Sequence, residues 1–139
     1  ALWHRLRGLF FINSYVKGRY LTHDRQRGAS FNNDPLITRA IAVNILLDLY
    51  KTSERIVSDA AAITLPTQLL ISGDDYVVHR QPQIDFYQHL RSPLKELHLL
   101  PGFYHDTLGE ENRAQAIEKM QSFISRLYAN KSCHYRRLI

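Results

Sequence analysis

Cysteine is almost absent. Cys133 is the single one in 139 residues. That excludes an internal disulfide framework, and Cys133 has neither a C-x-x-C partner nor a cluster of ligands at metal-binding spacing. A reducing compartment is permitted, and a cytoplasmic protein is the expectation. Long apolar runs are also missing. Blocks such as Leu9-Phe10-Phe11-Ile12 fall far short of the roughly 20 residues that a membrane-spanning helix needs, so no transmembrane segment is expected. No signal peptide, internal repeat or low-complexity tract is visible. The chain opens with Ala1 rather than Met, so the native N-terminus is expected upstream, and a targeting segment there stays open.

Acidic residues are in the minority. Lys and Arg number 18 against 13 Asp and Glu, giving a formal charge of +5. The excess is spread between Arg5 and Arg27 and again over Lys131, Arg136 and Arg137. A solvated basic surface is the favoured reading, with an anionic partner such as a lipid surface as the alternative. Nucleic-acid binding would rest on charge alone, since Tyr135-Arg136-Arg137 is too short to be a motif; no nucleic-acid partner is expected. Hydrophobic residues make up 45% and charged residues 22%, the balance of a folded globular chain rather than a disordered one.

Periodicity divides the chain. Leu2, Trp3, Leu6, Leu9, Phe10, Asn13 and Val16 fall roughly on one helical stripe, which predicts an amphipathic helix over residues 1–18. Its apolar face is expected to pack on the core rather than on a lipid interface. Residues 19–38 are polar and irregular, with a turn signal at Asn33-Asp34-Pro35. Ile41, Ile45, Leu46, Leu49, Ile56, Val57 and Ala60 predict a helix over 39–61. Beyond Pro66 the pattern changes. Gln68-Leu69-Leu70-Ile71 is a short buried-type strand closed by Ser72-Gly73-Asp74-Asp75. Residues 80–91 read as a helix with Ile84, Tyr87 and Leu90 inward. Lys95 to Leu100 is a second strand, stopped by Pro101-Gly102, and Glu111 to Tyr128 a last helix with Ile117, Met120, Ile124 and Leu127 on one face. Strand, helix, strand, helix is the alternation of an α/β fold with a parallel sheet. Two strands are few for such a sheet.

Groups that do chemistry in these sheets sit just past the C-terminal strand ends. Asp74 and Asp75 follow the first strand, and His105 follows the second. An acid and a histidine placed this way can pair, the carboxylate accepting the Nδ1 proton and the ring acting as general base. Taken alone, a loop Asp is as readily a turn former or a helix cap.

Three segments carry a resemblance. Leu65-Pro66-Thr67-Gln68-Leu69-Leu70-Ile71-Ser72-Gly73-Asp74-Asp75-Tyr76-Val77-Val78 resembles the late strand and acid loop of α/β-hydrolases. Lys95 to Glu110, with Pro101-Gly102-Phe103-Tyr104-His105-Asp106, resembles their last strand and histidine loop. Asn33-Asp34-Pro35-Leu36-Ile37-Thr38-Arg39-Ala40 is similar to the segment leaving the lid in the lysophospholipase and monoacylglycerol lipase branch (the serine aminopeptidase S33 type). The resemblance implies the C-terminal part of an α/β-hydrolase fold: residues 1–61 as lid and linker, 62–139 as the closing part of the core. It implies Asp75 as triad acid, since an aromatic-Val-Val run follows it, with Asp74 as competitor. It implies His105 as the base, no metal or organic cofactor, and an acyl-ester or lipid substrate. Glu110, Thr107 and Asp106 are expected to tie down the histidine loop or to cap the last helix. His79, His89 and His98 are expected to be structural or surface residues, and His4, His23 and His134 have no partner to name.

One departure matters. The family's chain order is Ser, then Asp or Glu, then His, with the serine in a Gly-x-Ser-x-Gly elbow. No serine here, from Ser14 to Ser132, has those flanking glycines. The expectation is therefore that the nucleophile and the oxyanion donors lie upstream, in the missing N-terminal half of the fold, and that this chain alone is inactive. The rival expectation is a non-catalytic α/β binding or oligomerisation module, a homo-oligomer formed through an exposed sheet edge.

Overall fold

In the computed structural model of the protein, residues 10–135 are described, with side chains as far as residue 129. Strand β1 (Phe11–Asn13) pairs antiparallel with β2 (Ala40–Ala42), Phe11 opposite Ala42. Between them lie a 3-10 turn at Gly18–Tyr20 and helix α1 (Arg25–Asn33). Helix α2 (Val43–Ser58) leaves β2 directly. Strand β3 (Thr67–Ser72) runs parallel to β4 (Lys95–Leu100), in register from Thr67 opposite Lys95 to Ser72 opposite Leu100. Helix α3 (Arg80–His89) is the crossover between them. A 3-10 turn at Thr107–Gly109 precedes the final helix α4 (Ala114–Tyr135).

Several expectations need correction. The helix predicted over residues 1–18 does not extend to its second half, because residues 11–13 are extended and paired with β2. Its first half, including Trp3 and Leu9, lies outside the described residues. Phe10 and Phe11 are exposed rather than packed on a core. Residues 19–38 are not wholly irregular. Asp24 caps α1, its Oδ1 accepting the N–H groups of Gln26 and Arg27 at 2.9 and 3.1 Å, the bonds that satisfy a first turn's orphan donors. The helix predicted over 39–61 is shorter, since residues 40–42 are drawn into the β1 pairing. Its apolar stripe is only partly covered: Ile45, Leu49 and Ile56 are exposed, Ile41, Leu46 and Val57 are half-buried, and Ala60 is buried. Among the described side chains of α4, Ala116 and Phe123 are buried and Met120 and Leu127 half-buried, while Ile117 and Ile124 are exposed, so two of the four residues expected inward are displaced by their neighbours.

The core lies where β4 ends. Leu100, Phe103 and Ala116 pack together, with Leu70 against them, and Ile71 is fully buried. Each buried Leu, Ile or Phe contributes about 1.5–3 kcal/mol. Lys95 fastens the crossover. Its ammonium donates to the carbonyls of Tyr87, Gln88 and Leu90 at 2.9, 3.3 and 2.8 Å, a cation placed on the negative end of α3. No described helix is long and apolar enough to cross a membrane.

Candidate active site

The parallel pairing of β3 and β4 continues past the strands. Gly73 N–H donates to Leu100 O at 2.8 Å, and Asp74 N–H to Phe103 O at 2.9 Å. The two loops are thus zipped together before either reaches its functional side chain. Glycine is favoured at position 73, because a Cβ would stand 2.8 Å from Leu100 O and force the two loops apart. The Ser72 and Thr107 hydroxyls add a bond of 2.8 Å across the same gap.

This zipping brings His105 Nδ1 to 2.9 Å from Asp75 Oδ2. Of the two candidate acids, Asp75 is the one that meets the ring. Asp74 contributes its backbone N–H to the loop contact and leaves its side chain exposed. The other oxygen of Asp75 accepts the N–H groups of Val77 and Val78 at 2.7 and 3.1 Å, so the carboxylate is held at both ends. Its side chain is 7% exposed and that of His105 39%. Burial pushes the Asp75 carboxyl up. The hydrogen bond from His105, then those from Val77 and Val78, outweigh it, and the net position is below the usual carboxylate range. A carboxylate only accepts, so Nδ1 carries the shared proton and Nε2 keeps a lone pair. A half-exposed imidazole in this tautomer can take a proton from a hydroxyl and return it.

A second cluster lies beside the first. Glu110 is 2% exposed. Its carboxylate accepts from Tyr104 N–H at 2.8 Å and from His23 N–H at 3.0 Å, and it faces His23 Nδ1 at 3.0 and 3.1 Å. Burial raises this carboxyl too, and the bonds from Tyr104, His23 N–H and the His23 ring bring it below the ordinary range. Glu110 therefore ties down the histidine loop, and Asp106 closes the turn after it by accepting Gly109 N–H. His23, without a partner in the sequence reading, is the residue that reading missed. Its spacing from Glu110 carries no local signal. Two other histidines have partners of their own: His98 meets Glu96, and His89 Nδ1 meets the carbonyl of Asp85; the side chain of His134 and the whole of His4 lie outside the described residues. Among the described residues, no group of three His, Cys, Asp or Glu side chains converges as a metal site.

Parallel strands ending in an acid loop and a histidine loop define part of an α/β-hydrolase fold. The chain belongs to the family described as serine aminopeptidase, S33, whose model matches residues 1–112. It is 96% identical over 132 residues to the protein YnbC of Escherichia coli (strain K12), a match covering 95% of this chain and 23% of that protein. Two solved structures share the fold. The monoacylglycerol lipase of Paleococcus ferrophilus superposes with a TM-score of 0.77 at 16% identity, covering 89% of this chain and 49% of the lipase. A soluble variant of the monoglyceride lipase of Saccharomyces cerevisiae, in complex with a substrate analog, gives 0.73 at 16% identity, covering 84% and 44%. The chain thus spans less than half of each lipase and about a quarter of YnbC.

Proposed function

We propose that the chain supplies the acid and base of a serine hydrolase that cleaves carboxylic esters of the monoacylglycerol or lysophospholipid type. The observation that carries this reading is the 2.9 Å bond from His105 Nδ1 to the buried Asp75, at the C-terminal ends of parallel strands in a chain of this family. In this reading residues 1–61 are lid and linker and residues 62–139 the closing part of the core. The nucleophilic serine is supplied by sequence before residue 1. That serine attacks the acyl carbon; His105 Nε2 takes its proton and later gives it to the leaving alcohol. Asp75 holds the ring and stabilises its cation without being protonated itself. The ester class comes from the two lipase structures, which share this fold.

The test is fluorophosphonate labelling, read by intact mass, of this chain and of the longer protein that contains it. The expected result is no adduct on the 139-residue chain and one on an upstream serine of the longer protein. In the longer protein, Asp75→Asn and His105→Ala are each expected to cut ester turnover by about three to four powers of ten, whereas Asp74→Asn leaves it within a few-fold. An adduct on a serine of this chain alone, or near-normal turnover in either dyad variant, sinks the reading.

A further inference from the structure

Both neighbours of His105 are held by one stretch of chain, residues 18–33, more than 70 residues earlier in the sequence. Tyr104, just before His105, gives its N–H to Glu110, whose carboxylate also takes the N–H of His23 and faces its ring. The His23 ring lies over that of Tyr104 with centroids 3.8 Å apart and planes 32° from parallel. Asp106, just after His105, gives its N–H to Leu21 O at 2.8 Å, and its carboxylate pairs with Arg27 at 3.1 Å. Thr22, itself buried, donates to Gly109 O at 2.8 Å. The acid loop joins the same assembly through Tyr76, which meets Tyr104 edge-on at 5.1 Å and Tyr20 at 6.0 Å.

The stretch that does this is itself built to be stiff. The 3-10 turn at Gly18–Tyr20 and helix α1 cross so closely that a Cβ on Gly18 would run into the backbone of Gly28, and Gly18 N–H is bonded to Asn32 Oδ1 at 3.0 Å. The histidine loop has no comparable stiffness of its own. Between the end of β4 and the start of α4 its regular structure is the single turn at Thr107–Gly109, so its position depends on what it is bonded to. Glu110 is the centre of that bonding. If the charge is lost, the Tyr104 and His23 N–H groups and the His23 imidazole are left with a weaker acceptor, a cost that falls on the loop carrying His105.

We propose that Glu110 and His23 form a second histidine–carboxylate pair that positions His105, so that residues 18–33 act as a clamp on the Asp75–His105 bond. The proposal rests on the reading of Asp75 and His105 as acid and base. Glu110 and His23 are positioning residues: they act through Tyr104 and Asp106, and neither bonds to Asp75 or to the His105 ring in the contacts described above. Lifting the clamp displaces His105 relative to Asp75, and the Nδ1 proton is no longer fixed.

The experiment is nitrogen-15 NMR of the histidine rings in this chain without substrate, near pH 8, where ring shifts report which nitrogen carries the proton. The native chain is expected to hold His105 in the Nδ1–H tautomer. His23→Phe keeps a ring over Tyr104 and removes the contact with Glu110; Glu110→Gln removes the charge. Both are expected to move His105 toward the Nε2–H tautomer, and His23→Asn, which restores a side-chain N–H donor, is expected to return it part of the way. In the longer protein, His23→Phe lowers kcat for an ester about ten- to a hundredfold, the range for a displacement near 1 Å, with KM little changed. Unchanged His105 shifts in a folded His23→Phe chain overturn the clamp. If Glu110→Gln fails to fold, His23→Phe, at a half-exposed side chain, still decides. A native His105 found in the Nε2–H tautomer overturns the acid–base reading itself, and with it the clamp. A tautomer that responds as expected in a protein whose upstream serine takes no label keeps the clamp and rejects the hydrolase.

Discussion

Asp75 and Glu110 present the same physical problem, a carboxylate withdrawn from water, and the same solution. Each is surrounded by donors, backbone N–H groups together with an imidazole. In both, burial favours the neutral form and the donors more than offset it, so the folded-state pKa lies below the ordinary value. The unfolded chain therefore binds protons on these groups at a higher pH than the folded one, about 3.9 for Asp and 4.3 for Glu. Their stabilisation is fully present above that range and is lost as pH falls toward and through the folded values. Urea-unfolding midpoints are thus expected to drop steeply as pH is lowered from about 5 to 3, and Asp75→Asn to flatten that slope; a variant with an unaltered slope would contradict the assignment of these shifts. The strand ends at Ser72-Gly73 and Pro101-Gly102 make Asp74, Asp75 and His105 candidates in the sequence, and the choice of Asp75 and His105 comes from the resemblance to the acid and histidine loops of α/β-hydrolases. His23 was not legible. It sits in a polar stretch without periodicity, and its partner is 87 residues away.

At the scale of elements, legibility follows how local the causes are. β3 and β4 are short apolar runs between breakers, and β4 spans Lys95–Leu100 as the pattern requires. β1 and β2 are three residues each, too short to show a period of two, and only pairing across the intervening segment makes them strands. α1 has a poor helical composition, Arg-Gln-Arg-Gly-Ala-Ser-Phe-Asn-Asn. It forms because Asp24 caps it and because Gly28 lets it cross the turn at Gly18. Two substitutions test elements where the structure commits itself. Gly73→Ala forces a methyl against Leu100 O and Pro101 Cα; overpacking of this kind costs about 1–3 kcal/mol, and it should also part the acid and histidine loops. Lys95→Met keeps much of the stem and removes the charge from the end of α3, with an expected loss of about 1 kcal/mol. Chemical denaturation measures both, and a Gly73→Ala chain as stable as the native one would mean that the loops are not zipped as described.

On the scale of the whole molecule, the small core and the uncovered apolar side chains have one explanation. The described sheet holds β3 against β4 and nothing else, yet parallel sheets are ordinarily covered on both faces and flanked by more strands. α2 exposes Ile45, Leu49, Tyr50 and Ile56 along its length, and no residue of it is buried. In the lipases that share this fold, the chain accounts for less than half of the length, so these surfaces are where the remainder of such a fold would lie. A chain carrying them alone offers an open strand edge and an apolar helix face, either of which can pair with another copy. Sedimentation velocity over a hundredfold range of concentration is therefore expected to show self-association of the 139-residue chain. Ile45→Lys with Leu49→Lys, at positions already exposed, separates the two surfaces. If association persists in that variant, the edge of β3 carries it; if it disappears, α2 does. A native chain that stays monomeric throughout would mean that neither surface is adhesive, and the uncovered stripe on α2 would then need a cover from within the chain itself.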